Sequence, residues 1–199
     1  MNGRFAREYL NGQLFLKPEY PTQQFTGQTI IVTGANGGLG LEAARHFVRL
    51  DAAKVILAVR SAEKGQKAAA DIAASTKRDG VAEVWELDLA SYGSVEAFAQ
   101  RVLALPRLDI AVANAGIFLF DFALTEGNET TITVNVISHM LLALLILPKL
   151  RETAISTGKA SVFTFTGSFT HWMTSFPERK NADIFAHLND KSKARMRDR

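Results

Sequence analysis

Eight consecutive residues, Thr33-Gly34-Ala35-Asn36-Gly37-Gly38-Leu39-Gly40, carry the first chemical signal in the chain. Glycines at this density let the backbone turn sharply and approach an anion closely. A helix starting there adds unpaired N–H groups and the positive end of its dipole. The run follows a short β-branched stretch and precedes apolar residues at helical spacing, so it predicts a strand-to-helix turn that cradles phosphate. The alternative is a tight turn with no ligand. Its spacing, Gly34, Gly38 and Gly40, also departs from the GxGxxG pattern of other dinucleotide sites. Twenty residues beyond Gly40 stands Arg60, where an acidic residue would select the ribose 2′-hydroxyl of NAD. A guanidinium there matches a 2′-phosphate and favours NADP; otherwise Arg60 is a solvated cation at a strand end. Lys64 is a weaker second cation.

Two further groups follow predicted strands. Asp88-Leu89 offers a carboxylate where an adenine ring would lie, or else an ordinary acid at a helix start beside Ser91. Asn114-Ala115-Gly116 combines small residues, which permit close approach of a ligand, with an amide able to bridge neighbouring strand ends.

These residues need elements to position them. Thr29–Thr33 and Lys54–Val59 are continuous apolar, β-branched runs, the mark of strands covered on both faces. Further strands are expected at Val81–Leu87, Leu108–Ala113 and Ala160–Thr166, the last with Val162, Phe163 and Phe165 suited to a sheet interior. Between them, Leu41, Ala44 and Val48 recur at helical spacing. An Ala-rich helix spans about Ala62–Ala74, and Val95, Phe98, Val102 and Leu105 mark a third helix ending at Pro106. A fourth, roughly Asn128–Leu147, reads as a buried helix; its apolar core Met140–Leu147 stops at Pro148 and Lys149, short of a bilayer span. Alternating strands and helices predict an α/β, doubly wound parallel sheet. Ligands of such sheets lie beyond the carboxyl ends of the strands, where the residues above stand. The expected organisation is a lead-in, 1–26, and one dinucleotide-binding domain, 27–199.

Composition narrows the function classes. The 199 residues are 47% hydrophobic and 22% charged, which excludes collagen-like, coiled-coil and largely disordered chains. The tail after Asp190, with Lys191, Lys193, Arg195, Arg197 and Arg199 against Asp198, carries +4 of a net +3, leaving the other 190 residues at −1. A short solvated tail is not the basic stripe with interleaved aromatics that nucleic acid requires, so no nucleic-acid partner is expected. Zero Cys removes disulfides and cysteine nucleophiles. His46, His139 and His187 lack metal-ligand spacing, so no metal site is expected. The first residues mix Arg4, Arg7, Glu8 and Asn11 among apolar ones and contain no signal-peptide core. A cytoplasmic protein without a membrane span is expected.

Taken in order, TGxxxGxG from Thr33, Arg60, Asp88-Leu89 and Asn114-Ala115-Gly116 resemble the short-chain dehydrogenase/reductase family, from about Thr26 through Ser168 and beyond. The flavour is that of retinol-dehydrogenase-like and fungal secondary-metabolism members, and the resemblance implies strand order 3-2-1-4-5 with the later family strands and helices missing. The resemblance implies that Thr33, Gly34, Asn36, Gly38, Leu39 and Gly40 surround the cofactor phosphates, that Asp88 and Leu89 meet adenine, and that Asn114, Ala115 and Gly116 line the nucleotide site. It assigns Asn135, in Thr133-Val134-Asn135-Val136, to support of a water in a proton relay, and Ser168 to a hydrogen bond with the substrate oxygen. A polar residue in an otherwise apolar helix needs a partner in any case. The implied reaction moves a hydride between NADP and a carbonyl or secondary alcohol of a small apolar metabolite, in a protein that commonly forms homodimers.

Family members carry Tyr-x-x-x-Lys on the next helix. Here Tyr9, Tyr20 and Tyr92 are followed four places on by Gln13, Gln24 and Glu96. The segment through His171-Trp172 to Arg199 resembles the stretch before that tyrosine, and His171 is a poor substitute for it. The expectation is a family member truncated at its C-terminus and inactive alone, with its fifth strand left as an apolar edge and poor solubility. The alternative is a non-catalytic nucleotide-binding or interaction protein.

Overall fold

The computed structural model describes residues 3–17, 19–168, 175–194 and 196. Its centre follows from strands that are apolar on both faces. β1 (Thr29–Thr33) is buried at every position, and β2 (Lys54–Val59) at every position but the first. They pair in parallel and are joined on either side by β3 (Ala82–Glu86) and β4 (Ile110–Ala113). A two-strand hairpin, β5 (Leu124–Thr125) and β6 (Asn128–Glu129), precedes the last sheet strand, β7 (Val162–Phe165). The sheet runs β3-β2-β1-β4-β7, which is the predicted 3-2-1-4-5 order of the five parallel strands.

Side chains alternate across a strand, so β1 and β2 feed two cores. Ile30, Val32, Val55 and Leu57 point to one face with Ala44, Val48, Ala68 and Ile72. These last four belong to α2 (Gly38–Arg49) and α3 (Ala62–Thr76). Ile31 and Ile56 point to the other face, with Val95, Phe98 and Val102 of α4 (Tyr92–Leu103). Each fully buried aliphatic or aromatic side chain contributes about 1.5–3 kcal/mol, so these two layers hold the domain together. Ser61 and Ser91 cap α3 and α4 by accepting the N–H groups of Lys64 and Ser94. Asp109 accepts the Thr29 N–H at 2.8 Å and pairs with Arg107, fixing the start of β1 against β4.

Three elements extend or correct these expectations. The lead-in contains a helix, α1 (Gly3–Leu14), whose Leu10 and Leu14 are exposed. The fourth predicted helix does not begin at Asn128, which lies in the hairpin, and does not stop at Leu147. It runs as α5 (Thr130–Ile132), a π turn (Thr133–Ile137) and α6 (Ser138–Thr157), with Pro148 inside. Contacts beyond the proline hold it: Lys149 and Leu150 are buried, and Thr153 Oγ1 accepts the Leu108 N–H at 2.8 Å. Thr130–Thr157 therefore has the length and composition of a membrane-crossing helix, although Leu142, Ile146 and Leu150 are built into the core. Nor is it buried all round, because Met140, Leu144 and Ile155 face outward.

The third concerns β7. Its residues suit a sheet interior, and as expected it stands as an apolar edge: Val162 and Phe165 are about half exposed, because nothing among the described residues covers its outer side. Beyond it, a 3₁₀ turn (Pro177–Lys180) and α7 (Ile184–Leu188) return to the hairpin. There Asn189 Oδ1 accepts the Glu129 N–H at 2.8 Å and its amide donates to Gly127 O and Asn128 Oδ1.

Candidate functional site

The carboxyl ends of β1, β2, β3 and β4 open into a cavity of about 640 Å³. Its floor is the turn after β1. Gly34 takes φ +67°, its N–H donates to Ala58 O at 2.8 Å, and a Cβ there would come within 2.9 Å of Ala115 Cα. Gly37, extended, is the N-cap of α2 without a side chain to satisfy the first-turn N–H groups. Gly40 is buried one turn later, where a Cβ would meet Asn114 Nδ2 at 2.5 Å and Gly34 O at 2.6 Å. Glycine is therefore a packing requirement at Gly34 and Gly40.

Among the predicted residues, Thr33, Gly34, Asn36, Arg60, Asp88, Leu89, Asn114, Ala115 and Gly116 share the cavity wall. Gly38, Leu39 and Gly40 do not. Gly40 lies beneath the turn, Leu39 points outward at 76% exposure, and Gly38, at φ +55°, begins α2. Arg60 and Lys64 are exposed on one side of the wall with Ser61, and no carboxylate pairs with Arg60 among the described residues. Asp88 divides its function. Its Oδ1 accepts the Ala90 N–H at 2.9 Å in the turn leading to α4, so the helix-start alternative is realised at an atom of a residue that also faces the cavity.

Asn114 bridges strand ends. Its amide donates to Thr33 O at 3.1 Å, and Thr166 Oγ1 donates to its Oδ1 at 3.4 Å. Thr33 Oγ1 in turn accepts the N–H groups of Asn114 and Ala115, each at 2.9 Å. Asn135, exposed on the π turn, finds the partner its helix denied it: it donates to Ile117 O at 2.8 Å and its Oδ1 accepts the Ile117 N–H at 2.9 Å. Single π turns inside helices are frequent at functional sites. Asn135 abuts the wall at Gly116 and Ile117 without being part of it. Ser168 is exposed past the end of β7 and is not on this wall. His171 and Trp172 lie outside the described residues.

Sequence reasoning missed three groups. His139, 3% exposed, sits with Nε2 3.5 Å from Thr33 Oγ1 and Nδ1 3.4 Å from Asn135 O. Burial lowers its pKa from the ordinary value of 6.5, a shift opposed by the Asn135 carbonyl. Glu129, fully buried, accepts the N–H groups of Thr131 and Ile132 and so caps the helix that carries the π turn. Ser138 Oγ donates to Leu89 O at 2.6 Å, tying that helix to the strand-end loop. The available signal was the cluster Asn135, Ser138 and His139 at the head of an apolar helix, polar groups that must each find a partner. Tyr20 stacks edge-on with His46 beside Arg49, and Tyr92 opens α4, so neither joins the cavity wall.

Comparison with known proteins gives one consistent result. The family model described as short chain dehydrogenase matches residues 28–168. The short chain dehydrogenase/reductase dmxR8 of Cryptosporiopsis sp. is 51% identical over 190 residues, an alignment covering 94% of this chain and 59% of that protein. The short-chain dehydrogenase anuD of Penicillium roqueforti is 46% identical over 194 residues, 98% of this chain and 51% of that one. The chain thus spans little more than half the length of these curated relatives. Among solved structures, a short chain dehydrogenase of Escherichia coli CFT073 complexed with NADPH superposes with TM-score 0.61 at 29% identity, covering 87% of this chain and 70% of that one. A Shigella flexneri counterpart complexed with NADP gives TM-score 0.60 at 27% identity, covering 86% and 70%.

Proposed function

The chain belongs to the short-chain dehydrogenase/reductase family, and from that premise we propose that its cavity binds NADP for hydride exchange with a carbonyl or secondary alcohol. The observation carrying the choice of NADP is the pair Arg60 and Lys64 on the cavity wall, with no carboxylate at the end of β2 to receive a ribose 2′-hydroxyl. NADPH and NADP in the two bacterial structures agree with it.

The residues present fit the cofactor. Gly37 and Gly38 leave open space where a Cβ would project, and the start of α2 has no side-chain cap. Its free N–H groups suit a pyrophosphate. In this reading Thr33, Gly34, Asn36, Gly38, Leu39 and Gly40 form or support that turn, and Arg60 with Lys64 takes the 2′-phosphate. Asp88 and Leu89 meet adenine, while Asn114, Ala115 and Gly116 line the ribose and nicotinamide side. When bound, the dinucleotide supplies or accepts the hydride. The chain's own part is to hold that group, orient it and exclude water through the apolar Leu89, Ile117 and Leu119. Ser168 donates a hydrogen bond to the substrate oxygen, and Asn135 supports the proton path.

Proton transfer to that oxygen needs a group of suitable pKa within reach. Tyr9, Tyr20 and Tyr92 have no lysine four residues on, and neither Tyr20 nor Tyr92 lines the cavity. We therefore expect these 199 residues to bind cofactor without turning over substrate. The substrate class we propose is a small apolar metabolite of fungal secondary metabolism, in keeping with the fungal relatives.

Fluorescence titration with NADPH and NADH tests the reading. NADPH should bind more tightly, and Arg60→Asp should cut that preference at least about tenfold, the scale of one charged hydrogen bond. An unchanged preference would retire Arg60, and reduction of any member of a carbonyl panel would overturn the expected inactivity.

A further inference from the structure

The hydroxyl of Thr33 is fully committed. Its oxygen has two lone pairs and one proton. The Asn114 and Ala115 N–H groups occupy both lone pairs, each at 2.9 Å. Only the proton remains, and His139 Nε2 stands 3.5 Å away. Nε2 must then accept, which places the proton of a neutral imidazole on Nδ1. Nδ1 lies 3.4 Å from the backbone carbonyl of Asn135, an acceptor that suits this tautomer and no other.

An imidazolium would aim a second N–H at an oxygen with no lone pair left, in a site where His139 is 3% exposed. The downward pKa shift from burial agrees with the neutral form.

The bonds close on themselves. Thr33 holds Asn114 and Ala115 at one end of the loop after β4, and the Asn135 side chain holds Ile117 at the other. His139 joins the two holders. We infer that His139 is a positioning residue: as the neutral Nδ1–H tautomer it links Thr33 to the Asn135 carbonyl and fixes the loop Asn114–Ile117 from both ends. That this loop is the cofactor wall rests on the proposed function; the ring of hydrogen bonds does not.

Long-range ¹⁵N–¹H NMR of the imidazoles in the intact chain reads the tautomer without any substitution. We expect His139 in the Nδ1–H form at pH 7, whereas an Nε2–H form or a rapidly averaging mixture overturns the inference. Amide hydrogen exchange supplies the second measurement. In His139→Phe, exchange at Asn114, Ala115 and Ile117 should quicken at least about tenfold while Ile56 and Leu57 in β2 keep their wild-type rates. His139→Asn, which can still accept and donate, should recover part of the protection. Unchanged exchange at the loop in a folded His139→Phe protein also overturns the inference.

Should His139→Phe fail to fold, the wild-type tautomer still decides. NADPH titration separates this inference from the functional reading. If the wild-type chain binds no nicotinamide cofactor while the tautomer and exchange results hold, the proposed function fails and the positioning role stands. If the wild type binds, His139→Phe should weaken NADPH about tenfold.

Discussion

β2 and β7 are both short parallel strands of mostly apolar residues, and their surroundings differ completely. β2 lies between β1 and β3 with helices over both faces, and Val55, Ile56 and Leu57 have no exposed surface. β7 has β4 on one side and, among the described residues, no neighbour on the other, and Val162 and Phe165 remain about half exposed. A run such as Val162-Phe163-Thr164-Phe165 announces a strand suited to burial. It does not announce that the burying elements are present. The apolar outer side of α6, with Leu144 and Ile155 exposed, shows the same separation.

The sharpest test of the contrast is truncation in each strand. Leu57→Ala should cost about 2–5 kcal/mol in urea unfolding, as expected for a fully buried leucine, whereas Phe165→Ala should cost under about 1 kcal/mol. Similar losses at both would break the comparison. A smaller effect is expected at the seam between the two regions. Gly40→Ala puts a Cβ against Asn114 Nδ2 and Gly34 O and should cost about 1–3 kcal/mol, with weakened NADPH binding in the same sample. A neutral result would mean that β4 can shift away from α2 freely.

The smallest effect is one of pH. His139 is depressed below 6.5 in the folded protein, so on acidification the unfolded chain takes up its proton first. Stability from this group is present above 6.5 and is lost as pH falls from 6.5 toward the folded value, at up to about 1.4 kcal/mol per pH unit. Among the described residues no charged side chain contributes to the shift, which makes the attribution direct. The slope should be absent from His139→Phe.

The buried strands β1 and β2 and the glycine turn were legible because each follows from local chemistry: β-branched runs between breakers, and glycines at a strand-to-helix junction. The parallel sheet followed from the alternation of elements, and its strand order from the family resemblance. Three features were not legible. The helix through Pro148 depends on Thr153 reaching the Leu108 N–H, a contact 45 residues distant in sequence. The partner of Asn135 is a backbone 18 residues away. The polar cluster of Asn135, Ser138 and His139 signals only that each needs a partner; the significance of His139 lies in the saturation of one hydroxyl by two N–H groups of the loop after β4.

The Asn135 carboxamide offers Ile117 one donor and one acceptor, the pair that a neighbouring peptide unit would present. A side chain thus satisfies both backbone polar groups of Ile117, four residues past the end of β4. The wall there keeps the open front of a loop while its backbone is tied down as a strand's would be.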